Sequence, residues 1–402
     1  MPLSPREGQR LHVLTLLESG KVTIAQVTEA LAITDRQLRR LRARLREEGP
    51  TALAHGNRGR RAAHAVPEDL RTQILVCARG KYAGLNDVHL TEQLTGEEGL
   101  QVSRATVQRV LRQARLASPR RRRPPRHRSR RPRREQAGLL VQFDGNPYVW
   151  FEDRGPACTL LGGLDAATGS VLAACFRLEE DAAGYLGCLR ELTATYGIPA
   201  AAYTDKHSIF VRNDPHWTLA EELAGAQEPT QVGRAFQTLG IEHILAHSPE
   251  ARGRIERLWG TLQDRLVAEL RLAGICTLPE GNAFLREKFL PAFNAQFAVP
   301  PALATSGYRP VPRGLDLDRV GAFHYDRVVA AGNTVTVFGT VLQLQPGRHR
   351  RGYAKAPAVV VQCLDGAWRV YVHERLVATT PAPADPGQLR ARKRDHKARP
   401  HG

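Results

Sequence analysis

The sequence predicts a multidomain chain with N-terminal all-α helix-turn-helix segments, a mixed α/β core and a C-terminal small β-barrel. Three observations predict it. Capped helical periodicities fill the first 117 residues; apolar, partly alternating runs separated by helical patterns begin near residue 138; and short β-branched runs between Gly, Pro and Asp-Gly signals follow residue 305. The boundaries drawn are 1–60 (helix-turn-helix), 61–117 (second helical segment), 118–137 (linker), 138–305 (core), 306–385 (β-barrel) and 386–402 (basic tail).

The first segment holds three helical patterns. "GQRLHVLTLLE" stops at Ser19-Gly20, "TIAQVTEALA" starts at Thr23, and "TDRQLRRLRARLREEG" runs from Thr34 to Gly49-Pro50. Thr34 and Gln37 have capping-box spacing, and Leu38, Leu41 and Leu45 recur at helical intervals, so they face inward. A short helix before an arginine-rich one is the pattern of a helix-turn-helix whose second helix enters a major groove. Arg36, Gln37, Arg39 and Arg40 are its candidate DNA contacts. A solvated arginine-rich helix in a small bundle is the alternative.

A second trihelical pattern occupies about 67–79, 85–95 and 103–116, with Ser103 as N-cap and Arg104 as a candidate DNA contact. Its apolar Val107, Val110 and Leu111 suit an ordinary bundle equally. Next, "SPRRRRPPRHRSRRPRR" (118–134) has ten arginines, four prolines and no acid, so it buries no core and reads as a linker lying along phosphates.

In the core, "GLLVQFDG", "ACTLLGGLDAATGSVLAACF" and "AAAYTDKH" read as strands. "LDAATGS" forms a hairpin turn with Asp165 as a turn residue, and "AAGYLGCLRELTATYG" is a helix ending at Gly197. After 305, "NTVTVFGTVLQL", "APAVVVQCL" and "AWRVYVHERLVATT" are the strands of the expected barrel.

The 402 residues include 58 Lys+Arg against 40 Asp+Glu, a formal net charge of +18, which points to a polyanionic partner. Six scattered cysteines lack zinc-site spacing and read as free intracellular thiols. Without a secretory apolar core or a bilayer-length apolar run, the expected location is the cytoplasm, with no membrane partner.

Three acids stand at informative places: Asp144 and Asp205 end apolar runs, and Glu256 opens a helix whose Ile255, Leu258, Trp259, Leu262, Leu266 and Leu270 share one stripe. Converging carboxylates suit Mg²⁺ or Mn²⁺, with two ions serving an in-line displacement at phosphorus. The chain has forty acids, so pattern alone does not single out these three.

The blocks "FDG", "YTDKHSIF" and "TQVGRAFQTLGIEHILAHSPEARGRIERLWGTLQDRL", with the N-terminal helix-turn-helix, resemble the DDE transposases of bacterial insertion sequences, most of all the ISNCY group. That resemblance implies a ribonuclease H-like, integrase-type core with Asp144, Asp205 and Glu256 as catalytic acids and metal ligands. It also implies two-step cleavage and joining of double-stranded DNA, at terminal inverted repeats and at a target, by a homodimer or larger assembly. Fifty residues separate Asp205 from Glu256, more than is usual in integrase cores, and an insertion around "RNDPHWTLAEELAGAQEP" accounts for them. The serine expected soon after "FDG" is missing, leaving Asp153 as a substitute ligand.

His207, two residues beyond Asp205 on the same side of an extended chain, is a candidate for contact with substrate or attacking water. Arg252 and Arg254 are candidates for phosphates near the metals. A catalytically inactive DNA-binding regulator and a metal-dependent nuclease without strand transfer stay open as alternatives.

Overall fold

The computed structural model describes residues 3–54, 65–118, 132–212, 214–246, 253–347, 352–387 and 389–391. The chain forms two compact units, Met1–Thr72 and Gln73–Gly402.

In the first unit, α1 (Pro5–Glu18), α2 (Ile24–Leu31) and α3 (Asp35–Glu48) each begin with a capping box, formed by Ser4 with Glu7, Thr23 with Gln26 and Thr34 with Gln37. Each box satisfies backbone donors that a helix start leaves open. Leu14, Val27, Leu38 and Leu53 form the buried centre, with Leu41 and Leu45 packed against it. α2 ends at Ala32 in the left-handed region (φ 50°), which makes the tight turn into α3.

α4 (Glu68–Arg79) spans the division between the units. In the second unit, α5 (Asp87–Gly96) and α6 (Arg104–Gln113) precede a five-stranded sheet made of β1 (Val141–Tyr148), β2 (Cys158–Asp165), β3 (Val171–Arg177), β4 (Ala201–Thr204) and β5 (Glu242–Leu245). The strand order is β3-β2-β1-β4-β5; β1 pairs antiparallel with β2 and parallel with β4, and β4 pairs parallel with β5. This mixed sheet fits a ribonuclease H-like core.

α7 (Ala182–Tyr196) follows β3, while α8 (Leu219–Ala224) and α9 (Gln231–Leu239) lie between β4 and β5. α7 and α9 cover one face through Tyr185, Leu189, Leu192 and Phe236. α10 (Gly253–Leu272) and the α11–α12 pair (Leu278–Phe284, Leu290–Phe297) cover the other. The predicted stripe of α10 is that contact: Ile255, Trp259, Leu262, Leu266 and Leu270 are buried and Leu258 is partly so. Gly162 of β2 makes room for it, since a Cβ there would lie 3.3 Å from the Trp259 ring.

α5 docks on the second half of α10. Asn86 Nδ2 donates to Asp264 Oδ2 at 2.6 Å, and Arg265 grips Glu92 with two bonds of 2.6 and 3.0 Å. Glu269 Oε1 takes His89 Nε2 at 2.6 Å and Gln93 Nε2 at 2.9 Å. α5 is thus bound to the helix that carries Glu256.

After α13 (Leu317–Val320) come β6 (Phe323–Val328), β7 (Thr334–Val337), β8 (Thr340–Gln343), β9 (Pro357–Gln362), β10 (Trp368–Val372) and β11 (Arg375–Thr379). The expected barrel is not closed among the described residues. One sheet runs β11-β10-β9-β6, and the β7–β8 hairpin pairs only with itself. The hairpin is held by side chains and by a backbone bond beyond its end: Val335, Val337 and Leu342 join the apolar cluster of Tyr325, Val360 and Val370, which is continuous with that of α7 and α9, and Gln345 N–H donates to Val377 O of β11 at 2.9 Å. No helix among the described residues is long and apolar enough to cross a membrane.

Candidate active site

β1 and β4 pair with Val141 opposite Ala202 and Gln142 opposite Tyr203. Continued by two residues, this register sets Asp144 level with Asp205, and neighbouring strands lie about 4.8 Å apart. Residues two apart in a strand share a face, so Asp144 stands on the face of Gln142, away from Val141 and Phe143, which pack toward α7. That is the face α10 covers. Asp144 is buried, and its Oδ2 accepts the indole N–H of Trp259 at 2.9 Å. Gln263, one turn further on, donates to Asn146 Oδ1 at 3.0 Å, so α10 runs along β1.

Glu256 is exposed in the first turn of α10, three residues before Trp259, which is about 4.5 Å along the axis. The fold thus carries Asp144 within β1 and Asp205 just beyond the neighbouring parallel strand β4, with Glu256 on the helix that covers the face of Asp144. It does not draw all three together: among the described residues no three His, Cys, Asp or Glu side chains are gathered closely enough to hold a metal ion. The carboxylates of Asp144 and Asp205 are hard oxygen donors of the kind that fit Mg²⁺ or Mn²⁺.

The other candidates fall out separately. The chain turns after Asp205 instead of continuing extended, which removes the alternation argument for His207: its backbone N–H donates to Asp205 Oδ1 at 2.9 Å and its Nδ1 accepts from Ile209 at 3.3 Å. Asp153 is exposed in the turn beyond β1. Arg254 Nη1 donates to Ala166 O at 2.5 Å; burial, then the charges of Arg133, Arg257 and Arg134, lower its pKa. Arg252 lies outside the described residues.

On α3, Arg36, Arg39 and Arg40 are exposed and make no ion pair among the described residues. Gln37 is committed to the Thr34 capping box. Arg42 and Arg46 hold Glu18 at 2.8 and 3.1 Å, and Arg44 holds Glu48 at 3.3 Å. Charge on this helix is thereby concentrated toward its N-terminal turns. Arg104 is exposed at the first residue of α6.

Sequence reading missed Glu180 and Tyr185. Buried Tyr185 stacks edge-on against Phe143 and packs on Phe210, so it supports the residue before Asp144 and a residue of the turn after Asp205. Its hydroxyl donates to Glu180 Oε1 at 2.5 Å, and burial first, then the charges of Glu180, Asp144 and Asp205, raise its pKa well above the ordinary phenol range. Glu180 lies against Gly145, where a Cβ would come within 2.9 Å of its carboxyl carbon. The signal available was an acid just before the helix N-cap Asp181.

The helix-turn-helix domain family matches residues 9–62. The Sinorhizobium fredii protein named "Putative transposase y4bF" is 35% identical over 91% of this chain and 80% of its own length. The Streptococcus pneumoniae transposase for insertion sequence IS1202 is 30% identical over 93% of this chain and 86% of its own length. Among solved structures, the HTLV-2 integrase catalytic core domain in complex with magnesium is 16% identical, with a TM-score of 0.25, over 37% of this chain and 83% of that one. The simian T-cell lymphotropic virus intasome is 15% identical, with a TM-score of 0.31, over 78% and 100%. Superpositions this loose add no weight to the two sequence relatives. With both matched over four-fifths or more of their length, the chain belongs to the transposase family that includes the transposase of IS1202.

Proposed function

We propose that the chain binds the terminal inverted repeats of an insertion sequence and catalyses metal-dependent DNA cleavage and strand transfer through Asp144, Asp205 and Glu256. The observation that supports this reading is the parallel pairing of β1 with β4, whose register carried on by two residues brings Asp144 opposite Asp205, on the sheet face that the helix of Glu256 covers. Asp144 and Asp205 would hold Mg²⁺ or Mn²⁺, with Glu256 as third ligand once α10's first turn closes on DNA. Bound there, a pair of such ions lowers the charge barrier to attack at phosphorus by water and then by a 3′-OH.

The protein's own part is positioning. Trp259 fixes the carboxylate of Asp144, Tyr185 braces the segments on either side of the acids, and Arg36, Arg39 and Arg40 of α3 read the element's ends. The arginine linker and the C-terminal β-domain grip flanking backbone. Joining two ends calls for a dimer or larger assembly, acting on DNA in the cytoplasm.

A strand-transfer assay with purified protein, Mg²⁺ and duplexes carrying the element's own ends tests the reading. Joined products support it. Cleaved ends that never join indicate a nuclease, and binding with neither reaction indicates a regulator.

A further inference from the structure

The turn between β2 and β3 is a rigid platform. Buried Asp165 accepts five hydrogen bonds: Gly138 N–H and Tyr308 O–H on Oδ2, and the Ala167 N–H, Thr168 N–H and Thr168 hydroxyl on Oδ1. Gly169 adopts φ +75°, and a Cβ there would lie 3.2 Å from the guanidinium of Arg133. The platform presents two consecutive carbonyls, and each fixes an arginine. Ala166 O takes Arg254 from α10, and Ala167 O takes Arg133 Nη1 at 2.9 Å from the end of the linker.

The linker's end is itself anchored. Glu135 O accepts from Leu303 N–H at 2.9 Å, Gln136 Nε2 donates to Thr305 at 2.7 Å, and Ala137 O accepts from Gly307 N–H at 2.7 Å. Arg134 follows Arg133 and is exposed, and Arg257 is exposed one turn along α10 from Arg254. Two segments more than a hundred positions apart are thus brought together to set four arginines around one turn, beside Glu256. Because α5 covers the other half of α10, the positive charge is concentrated at the half that carries Glu256.

We propose that Arg133, Arg134, Arg254 and Arg257 form a binding site for backbone phosphates of the DNA strand presented to the acids. Guanidinium forks fit phosphate oxygens, and a phosphodiester backbone relieves the mutual repulsion of four like charges. The site is sequence-independent, unlike the reading helix α3, and it makes the arginine linker part of the core surface at its C-terminal end. It rests on the reading of the core as the DNA-processing part of the chain.

The test uses the full-length chain, EDTA and a blunt-ended duplex of arbitrary sequence, with affinity measured across a salt series. In Arg134→Ala/Arg257→Ala, whose side chains do not tether the turn, the slope of log K against log salt is expected to fall by about two, since each lost phosphate contact removes about 0.9. The thermal midpoint stays that of the parent. Lysine at both positions keeps the slope. A slope equal to the parent's overturns the site. Should the double variant fold poorly, Arg257→Ala alone is expected to lose about one, and no loss overturns the site equally. Binding without divalent metal separates this from the catalytic reading: a lost slope in an inactive protein sinks only that reading, and an unchanged slope in an active one sinks only this site.

Discussion

The indole N–H of Trp259 on α10 is hydrogen-bonded to the buried carboxylate of Asp144 on β1 at 2.9 Å, across 115 positions of sequence. One bond therefore fixes both the aim of an acid and the seat of the helix that carries Glu256. Trp259→Phe keeps much of the ring and removes the donor. A hydrogen bond to a charged group contributes about 1.5–3 kcal/mol, and the space left above Gly162 adds to the loss. We predict a fall in unfolding free energy of about 2–3 kcal/mol by thermal melting. Cleavage per folded molecule should fall about tenfold or more, as when a partner orienting a metal-binding carboxylate is removed. Activity equal to the parent's would show that Asp144 needs no such orientation.

Arg265 ties α5 to α10 through its two bonds to Glu92, and its guanidinium lies 4.6 Å from the ring centroid of Phe297. Its side chain is only 11% exposed, so solvent screens the pair weakly. Arg265→Ala is expected to cost about 1–3 kcal/mol and to raise amide hydrogen exchange in α5 before that in β1. Unchanged protection in α5 would mean that the contacts of Asn86, His89 and Gln93 suffice.

His324 supplies a pH dependence. Burial first, then the charge of Arg234, pushes its pKa from 6.5 down to about 4, while its ring Nε2 lies 2.7 Å from Arg319 O and its backbone pairs with the Gln231 side chain of α9. Above about 6.5 the ring is neutral folded or unfolded, and its contribution to stability is complete. As pH falls from there toward 4, the unfolded chain takes a proton that the folded one refuses, so stability is lost across that window and the loss is complete below it. His324→Gln should therefore lose less stability than the parent between about pH 7 and about pH 5 in thermal melts. Equal losses would place the acid sensitivity elsewhere.

Local signals were legible in the sequence where the bond they report is local. Thr34 and Gln37 form the capping box their spacing predicts, Asp165 is the turn residue of the β2–β3 hairpin, Gly197 ends α7, and the stripe of α10 is the buried one. Contacts made by polar residues across long separations were not. Asn86, His89 and Glu92 look like a solvated face of α5 until α10 is placed against them. Glu180 and Tyr185 acquire a role only once Gly145 lies beside them. The barrel was not legible for a similar reason: alternation identifies strands such as β9 and β10, but closure depends on which edges meet, and among the described residues β7 and β8 pair only with each other. For the acids, the end of an apolar run marks the strand end only at Asp205, just past β4; Asp144 lies in the middle of β1, because that strand continues through Gly145 to Tyr148 in its pairing with β2.

The most direct measurement is the comparison of Asp205→Asn with the parent protein on duplexes carrying the element's ends. Asparagine keeps the shape of the side chain and removes the negative charge that a dication needs. The account predicts unchanged sequence-specific binding, with Mg²⁺-dependent cleavage and joining reduced to background. Cleavage at the parent's rate would contradict the assignment of Asp205, and with it the paired carboxylates as the centre of the reaction.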